Sequence, residues 1–477
     1  MVRVLTLLTH GALASSLLAQ ELLQYQNNTF NSSYAFSEIQ IDAANISDSV
    51  ANNVQVALNV ERTNWATGSV AEDQFYNPPP VNASTPPGSL LKVQEYTNTS
   101  TYTLAPNLAL SRILFTSVDF NGSIVPASAY VLWPWQARKF PDSCLNVSGV
   151  PAVAWAHGTS GVFGECAPSH IRNLWYQFSA PFTLALQGYA VVAPDYAGLG
   201  VNHTAEGDAI VHQYLAHPAA ANDLFYAMQA AQMAFPELSK QFITMGHSQG
   251  GGAAWATAHR QSVTPVEGYL GTVAGSPDPN NYENIKATSG FGVAPRIARG
   301  LSSIFPSFNY SEWFEPEGVK RLPLLEELSG CNSVNGELFP QAEGLIKPAW
   351  EENWYLRAYS NISDPSRKPI SGPMLVVQGT GDQAVPAAAV SKAVNETCAM
   401  YPKNQIRYAS FEGASHVPVL NAAQQIWLQW IEDRFMGKDV DEGCTQEYHR
   451  PLRRRVASYQ KELEYYLQLA VQSYEVA

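Results

Sequence analysis

The chain has 477 residues, of which 46% are hydrophobic and 14% charged, and its formal net charge is −13 at pH 7. This composition is typical of a globular protein with an ample core, and the length predicts one large domain with an insertion or two domains. The acidic charge balance argues against nucleic acids and anionic membranes as partners.

The N-terminus predicts a cleaved signal peptide at residues 1–19. Arg3 precedes an apolar stretch that ends in small residues near Ala19, which is the pattern of an export signal. We therefore expect a secreted, extracellular protein; a short N-terminal helix of a cytosolic protein is the alternative. No other stretch approaches the roughly 20 uninterrupted apolar residues that cross a bilayer, so no stable membrane span is expected.

Asparagine sequons are dense along the chain and support export, because N-glycosylation marks surface loops of secreted proteins. The candidate asparagines, each with Ser or Thr at the second following position, are Asn27, Asn31, Asn45, Asn82, Asn98, Asn121, Asn146, Asn202, Asn309, Asn361 and Asn395. The sequence is therefore interpreted as that of a secreted glycoprotein.

The cysteines are odd in number: Cys144, Cys166, Cys331, Cys398 and Cys444. In an oxidising compartment, two disulfides and one free thiol are the simplest arrangement. The sequence contains no C-x-x-C pair, which argues against a zinc site. We expect neither a metal nor a cofactor.

Residues 20–105 are predicted to form an N-terminal extension that lies over a core. The segment is rich in Asn, Ser, Thr and Pro, and "NPPP" and "STPPGS" mark loops within it. The pattern then changes to two alternating apolar runs joined at Asn121-Gly122, which is a strong signal for a β-hairpin.

After the hairpin, short apolar runs alternate with helical stretches. The runs are "PAVAWAHG", "YAVVAPD", "QFITMGHS", "LGTVAGS", "PMLVVQG" and "QIRYASFEG". Runs that are apolar on both faces are typical of a buried, mostly parallel sheet with helices on both faces. The pattern predicts an open α/β fold whose core spans residues 106–276 and 373–437.

Residues 277–372 separate two of the predicted strands and are too many for a loop. They contain helical pieces rich in Trp, Phe and Leu, and an insertion of this size is usually a functional lid or cap. A passive structural subdomain is the alternative. Residues 438–477 are predicted to form a C-terminal tail helix. The stretch from His449 onward starts basic and becomes amphipathic, so we expect the tail to pack or to be solvated and not to be a membrane anchor.

The stretch Gly246-His247-Ser248-Gln249-Gly250 fits the G-x-S-x-G pattern and stands between an apolar strand and a helix-forming run. A strand that turns sharply into a helix holds the serine in a strained conformation, and only small flanking residues let the turn close. Ser248 is then expected to project from the sheet edge, with the helix N-terminus behind it favouring negative charge. We predict that Ser248 is a nucleophile.

A serine nucleophile needs a base, and the base needs a group that orients it. In a strand–turn–helix setting of this kind the chain order is Ser, then Asp or Glu, then His. Asp382 follows the strand "PMLVVQG", and His416 follows the strand "QIRYASFEG", so both should reach the edge that carries Ser248. Asp278, which follows the preceding strand, is the alternative acid.

Acyl transfer also needs hydrogen-bond donors for the oxyanion. The backbone N–H of Gln249 and that of Thr159, in the loop after the first parallel strand, are predicted to be these donors. His157 is expected to pack beneath that loop, His247 to fill the elbow, and Asp195 to anchor a loop.

The motifs "HGTSGVFGECAPSH" and "GHSQGGGAAWA" resemble those of the secretory lipase family of fungi and actinobacteria, within the α/β-hydrolase superfamily. The resemblance runs from about residue 105 to residue 437. It implies an α/β-hydrolase fold with a large helical cap, a nucleophile at Ser248, an acid at Asp382 and a base at His416.

The same resemblance implies a disulfide between the oxyanion loop and the cap, here between Cys166 and Cys331. Cys398 and Cys444 are further candidates for a disulfide, and the part played by Cys144 stays open. Many fungal members of the family have Tyr in place of His247 and a smaller residue in place of Gln249. This departure weakens the inference, from the resemblance alone, that long-chain triglycerides are the substrate.

The predicted function is that of a secreted serine ester hydrolase, a lipase or carboxylesterase, that acts on small-molecule or lipid esters with short to medium acyl chains. An acyltransferase, a serine carboxypeptidase and a non-catalytic binding protein are the alternatives. Aromatic residues of the insertion are expected to line an apolar acyl pocket: Phe291, Phe305, Trp313, Phe314, Trp350, Trp354 and Tyr355.

Overall fold

The structure is a computed structural model that describes residues 33–82, 84–145, 147–340, 344–453 and 455–460. The predicted signal peptide and the amphipathic end of the tail lie outside these residues, as do the candidate glycosylation sites Asn27, Asn31 and Asn146.

A single ten-stranded sheet forms the centre of the described residues. Its strands are β1 (Leu90–Gln94), β2 (Ala109–Val118), β3 (Ile124–Trp133), β4 (Val150–Ala156), β5 (Ala190–Pro194), β6 (Leu238–His247), β7 (Tyr269–Gly275), β8 (Met374–Gly379), β9 (Ile406–Phe411) and β10 (Cys444–His449). The spatial order is β1-β2-β3-β5-β4-β6-β7-β8-β9-β10. Strands β1, β2, β3 and β5 pair antiparallel, and every pairing from β5 through β4 to β10 is parallel. The predicted α/β fold class is confirmed.

The sheet is buried on both faces because its central strands are apolar at successive positions. In β4, Ala152 and Ala154 pack in the core cluster that contains Phe225, whereas Val153 and Trp155 pack in the cluster on the opposite face. The helices that cover the two faces are α3 (Pro181–Leu186), α4 (His217–Ala234), α5 (Gln249–Val263), α11 (Ala387–Met400), α12 (Pro418–Ala422) and α13 (Gln424–Phe435). The predicted hairpin at Asn121-Gly122 joins β2 to β3.

The insertion between β7 and β8 is helical where the structure describes it. Its helices are α6 (Asn281–Thr288), α7 (Ala294–Ile304), α8 (Pro316–Leu328), α9 (Asn332–Leu338) and α10 (Trp354–Ser363). We call this segment the cap.

The N-terminal extension packs against the cap as well as the sheet. It contains helices α1 (Glu38–Ala44) and α2 (Asp48–Thr63), and it contributes β1 to the edge of the sheet. The buried carboxylate of Glu61 in α2 accepts the backbone N–H groups of Cys331 and Val334 at 2.8 and 2.9 Å. It thereby satisfies donors at the N-terminus of α9, and burial raises the pKa of this carboxyl to about 7.

Two disulfides link distant parts of the chain, and the expectation of disulfide bonds is confirmed. Cys166 pairs with Cys331, 165 residues away, and joins the loop after β4 to the cap. Cys398 pairs with Cys444. Cys144 is an exposed free cysteine.

The prediction of a tail helix at residues 438–477 is wrong for residues 444–449. These residues form β10, which pairs parallel with β9 at the edge of the sheet. The disulfide from Cys444 to α11 and the ion pair between Arg407 and Glu447, 2.8 Å long, hold the segment against the sheet. Sequence periodicity did not reveal this strand because its side chains are exposed or half-buried and it lacks the apolar run of a buried strand. Within the described residues, no helix is both long and apolar enough to cross a membrane.

Candidate active site

Ser248 stands at the sharp turn between β6 and α5, as the G-x-S-x-G pattern predicts. Its backbone has φ 59° and ψ −122°, a conformation that L-residues rarely adopt. A side chain at Gly246 would clash with the carbonyl of Gly250, and one at Gly250 would clash with the carbonyl of Ala156. The two glycines therefore let the turn close against the end of β4. The Ser248 N–H donates to the Gly275 carbonyl at 2.9 Å and ties the turn to β7.

The structure brings Ser248, His416 and Asp382 into one hydrogen-bonded chain. His416 Nε2 lies 2.9 Å from Ser248 Oγ, and His416 Nδ1 lies 2.7 Å from Asp382 Oδ2. Asp382 follows β8 and His416 follows β9, so both emerge at the carboxyl edge of the parallel strands, where α/β sheets place their sites. This arrangement of nucleophile, base and orienting acid is the geometry that acyl-transfer enzymes require.

The Asp382 carboxylate is held in one orientation by its surroundings. Its Oδ1 accepts the backbone N–H groups of Ala384 and Val385 at 3.0 and 2.8 Å, and its Oδ2 also accepts from Gln378 Nε2 at 3.2 Å. Burial alone would raise the pKa of Asp382, but the hydrogen bond and charge of His416, together with hydrogen bonds from Val385 and Ser276, outweigh it, so the pKa lies below its usual value. The group is therefore ionised at neutral pH and can stabilise an imidazolium.

Asp278, the alternative acid, does not contact His416 Nδ1, whose partner is Asp382. Its backbone carbonyl lies 2.9 Å from Nε2 of the buried His217. Burial raises the pKa of the Asp278 carboxyl to about 7. Asp278 instead lines the cavity beside Ser248.

His247 does more than fill the elbow. Its Nε2 lies 2.9 Å from the backbone carbonyl of His416, and its Nδ1 lies 2.7 Å from the hydroxyl of Tyr176. Because a carbonyl only accepts, Nε2 carries the proton and Nδ1 accepts from Tyr176. Burial, together with the nearby His416, lowers the pKa of His247 to about 3, which keeps the ring neutral. Tyr176 and His247 thus hold the backbone of His416 in place.

Tyr176 is a site residue that sequence reasoning missed. It lies in a run of four consecutive non-glycine residues, 174–177, all with positive φ between 43° and 57°. Strained backbone of this kind concentrates at functional sites, and Trp175, Tyr176 and Gln177 line the cavity beside Ser248. No sequence signal marks the run, because it contains neither glycine nor asparagine at these positions.

The two predicted oxyanion donors come from different elements of the fold. Gln249 is the first residue of α5, and Thr159 lies in the loop after β4; both line the cavity with Ser248. The first N–H groups of a helix lack intrahelical partners, which leaves the Gln249 N–H available. Thr159 Oγ1 is hydrogen-bonded to the Tyr214 hydroxyl at 2.8 Å, which positions its loop. Their role as donors stays a prediction.

His157 and Asp195 are buried behind the same loop. His157 Nδ1 lies 2.7 Å from the Gly158 carbonyl, and burial lowers the pKa of His157 to about 4. The Asp195 carboxylate accepts hydrogen bonds from Ser128 and Ser169 at 2.6 and 2.5 Å. These contacts agree with the expected roles: His157 packs beneath the loop, and Asp195 anchors a loop.

A cavity of about 310 Å³ opens beside Ser248, His416 and Gln249. None of the seven cap aromatics expected to line an acyl pocket is among its described lining residues. They pack on one another instead: the ring centroids of Phe291 and Trp350 lie 5.3 Å apart, and those of Phe305 and Trp354 lie 5.7 Å apart. The cap wall of the cavity is formed by Asn284, Val293, Arg296 and Asn332.

The sequence pattern of the alpha/beta hydrolase family matches residues 153–426. Lipase 10 of Candida albicans is 22% identical to the chain over 409 residues, which cover 79% of this chain and 83% of that protein. Secreted triacylglycerol lipase LIP4 of Malassezia globosa is 24% identical over 407 residues, which cover 79% of this chain and 83% of that protein.

Solved structures share the fold at low sequence identity. Candida antarctica lipase A in its closed state aligns with a TM-score of 0.64 at 17% identity, over 82% of this chain and 92% of that one. A rice cell wall degrading esterase, LipA from Xanthomonas oryzae, aligns with a TM-score of 0.57 at 16% identity, over 72% of this chain and 99% of that one. Because the family pattern covers more than half of the residues, the chain belongs to the alpha/beta hydrolase family.

Proposed function

We propose that this chain is a secreted serine ester hydrolase of the lipase and esterase type, with Ser248 as nucleophile, His416 as base and Asp382 as the acid that orients the base. The observation that carries the proposal is the continuous hydrogen-bonded chain from Ser248 Oγ through His416 to Asp382. The lipases among its relatives support the same reaction class.

In the proposed reaction, His416 Nε2 accepts the proton of Ser248 Oγ as that oxygen attacks the ester carbonyl. The carbonyl oxygen becomes an oxyanion, which the N–H groups of Gln249 and Thr159 stabilise. His416 then gives the proton to the leaving alcohol, which leaves an acyl group on Ser248. Water, deprotonated by His416, attacks the acyl-enzyme by the reverse sequence and releases the carboxylic acid.

Secretion is supported by features at several positions. The eight candidate glycosylation asparagines within the described residues are all exposed, as an acceptor must be: Asn45, Asn82, Asn98, Asn121, Asn202, Asn309, Asn361 and Asn395. The two disulfides suit an oxidising compartment, and a relative is named as secreted. The predicted signal peptide completes this part of the proposal.

Short to medium acyl chains are the proposed substrates, because the cap is held in several ways. The disulfide to Cys331 and the Glu61 carboxylate both fasten α9, and Gln40 of the extension donates to Glu327 of α8 at 2.7 Å. The cavity, about 310 Å³, is at the lower end of small-ligand sites. Rates on nitrophenyl esters from two to sixteen carbons test this; a steady rise to sixteen with a jump above substrate solubility would contradict it.

The reaction itself is tested by Ser248→Ala. This change should abolish hydrolysis of nitrophenyl butyrate and tributyrin and leave the thermal unfolding midpoint nearly unchanged, since the turn accepts a small residue. Ser262→Ala, an exposed position on the same helix, is the matched control and should keep full activity. Full activity of the Ser248 variant would overturn the proposal.

A further inference from the structure

The cavity beside Ser248 is lined by buried and half-buried polar groups in addition to apolar residues such as Trp175 and Leu215. Helix α5 contributes Gln249, the loop after β7 contributes Asp278, and the helical part of the cap contributes Asn284, Arg296 and Asn332. Gln249, Asp278 and Arg296 are 2%, 5% and 7% exposed. Such groups are uncommon in a site built for hydrocarbon, because a buried polar atom needs a hydrogen-bond partner.

Arg296 is a buried cation that forms no ion pair with a carboxylate of the described residues. Its Nη1 donates to Asn332 Oδ1 at 2.7 Å, and its guanidinium carbon lies 5.5 Å from the centre of the Tyr214 ring. Among the described ion pairs none includes Arg296, and its Nε has no hydrogen-bond partner within the described residues. Its Nη2 donates to the Gly292 carbonyl at 3.4 Å, so Nε is the donor of this guanidinium for which the described residues supply no acceptor.

Acceptors without donors line the same cavity. Asp278 Oδ1, Asn284 Oδ1 and Gln249 Oε1 have no hydrogen-bond partner within the part of the chain that the structure describes. Gln249 is held by its other amide atom, Nε2, which lies 3.1 Å from His212 Nε2. Because these residues line the cavity, water or a ligand bound there can supply the missing partners.

The combination of acceptors and a donor selects among ligand classes. A hydrocarbon would leave all of these atoms unpaired, and a carboxylate could pair with Arg296 but not with the unpaired oxygens of Asn284 and Gln249, because it only accepts hydrogen bonds. Hydroxyl groups both donate and accept, so several of them can pair with the acceptors and with Arg296 at once. Burial raises the pKa of Asp278 to about 7, so its carboxyl does not require a cationic partner.

We propose that the cavity binds a polyhydroxylated portion of the ester substrate, as in esters of sugars or other polyols, and that Arg296 and Asp278 are specificity-determining residues. This inference rests on the proposed ester hydrolysis. The cavity volume equals that of about ten water molecules at ~30 Å³ each, and the substrate hydroxyl groups would replace such waters and their hydrogen bonds.

The test compares two butyrate esters of similar shape, 6-O-butyrylglucose and cyclohexylmethyl butyrate, with nitrophenyl acetate as reference. For the unmodified enzyme, kcat/KM should be at least about tenfold higher for the glucose ester, because a site that pairs with substrate hydroxyls rejects an analogue without them. Arg296→Met should reduce this ratio about tenfold. Arg299→Met, on the same helix but paired with Glu326 and outside the cavity lining, should keep the ratio.

The outcomes separate the two proposals. If the unmodified enzyme hydrolyses nitrophenyl acetate but shows equal kcat/KM for the two butyrates, or prefers the cyclohexylmethyl ester, the hydroxyl-binding inference fails and the ester hydrolase stands. If it hydrolyses none of the three, ester hydrolysis fails as well. If Arg296→Met does not fold, Asp278→Asn provides the second variant. The kcat/KM ratio of the two butyrates for the unmodified enzyme decides the inference even if neither variant folds.

Discussion

Replacing Asp382 with asparagine should change His416 Nδ1 from a hydrogen-bond donor to an acceptor. Oδ1 of Asp382 accepts two backbone N–H groups, from Ala384 and Val385. The amide oxygen of an asparagine must take that place, since an NH₂ group cannot accept these bonds. The NH₂ group then occupies the position of Oδ2, 2.7 Å from His416 Nδ1.

A donor at this position forces His416 Nδ1 to accept, so the ring proton moves to Nε2. Nε2 faces Ser248 Oγ at 2.9 Å and then carries a proton, so it cannot accept the one from the serine. Loss of the correct tautomer in such triads reduces kcat by about 10⁴, or about 5.4 kcal/mol of transition-state stabilisation at 1.36 kcal/mol per tenfold. The NH₂ group would also face Gln378 Nε2, another donor, which adds a small cost in stability.

The assay is kcat on nitrophenyl acetate, with thermal unfolding to show that the variant is folded. Asp278→Asn is the comparison, because Asp278 lines the cavity but does not contact His416 Nδ1; its loss should be less than about tenfold. A large loss for Asp278→Asn together with a small loss for Asp382→Asn would show that the orienting acid is the one after β7 and would refute this reasoning.

Further predictions concern the groups that hold the site and the cap. His247→Phe should reduce kcat about ten- to a hundredfold with little change in KM, and Tyr176→Phe should reduce it less, because it removes one hydrogen bond rather than two. Replacing Cys166 and Cys331 by Ser should cost about 5 kcal/mol of unfolding free energy, since the loop spans 165 residues. The stability contribution of Glu61 should be greatest below pH 4.5 and fall by up to about 3 kcal/mol towards pH 7, because burial raises its folded-state pKa.

Controls and contradicting results can be stated for the His247, disulfide and Glu61 predictions. Unchanged kcat in the His247 variant would mean that the His416 backbone needs no support. Cys144→Ser, at the exposed free thiol, should leave stability unchanged; an equal loss there would show a general effect of thiol removal. Urea unfolding of the wild type and Glu61→Gln at pH 5 and pH 8 should give a difference that shrinks with rising pH, and a constant difference would contradict the burial argument.

The parts of the site predictable from sequence were those with local signals. The glycines around Ser248 and the apolar runs before Asp382 and His416 placed all three at one edge of the sheet, where the structure has them. Tyr176 could not be found, because its position depends on a strained loop that no residue type marks. The residues of the cap that line the cavity were also missed. The density of aromatic residues in the cap predicted an apolar pocket, but those rings pack against one another. Tertiary packing decides which helix face meets the cavity, and the sequence of the cap does not show it.

The central claim, that Ser248 is a nucleophile activated by His416 and Asp382, is tested most directly by covalent labelling with a fluorophosphonate followed by peptide mapping. We expect a single labelled peptide that contains Ser248, with labelling lost in Ser248→Ala and strongly slowed in Asp382→Asn. Labelling at another serine, or an undiminished rate of labelling in the Asp382 variant, would contradict it.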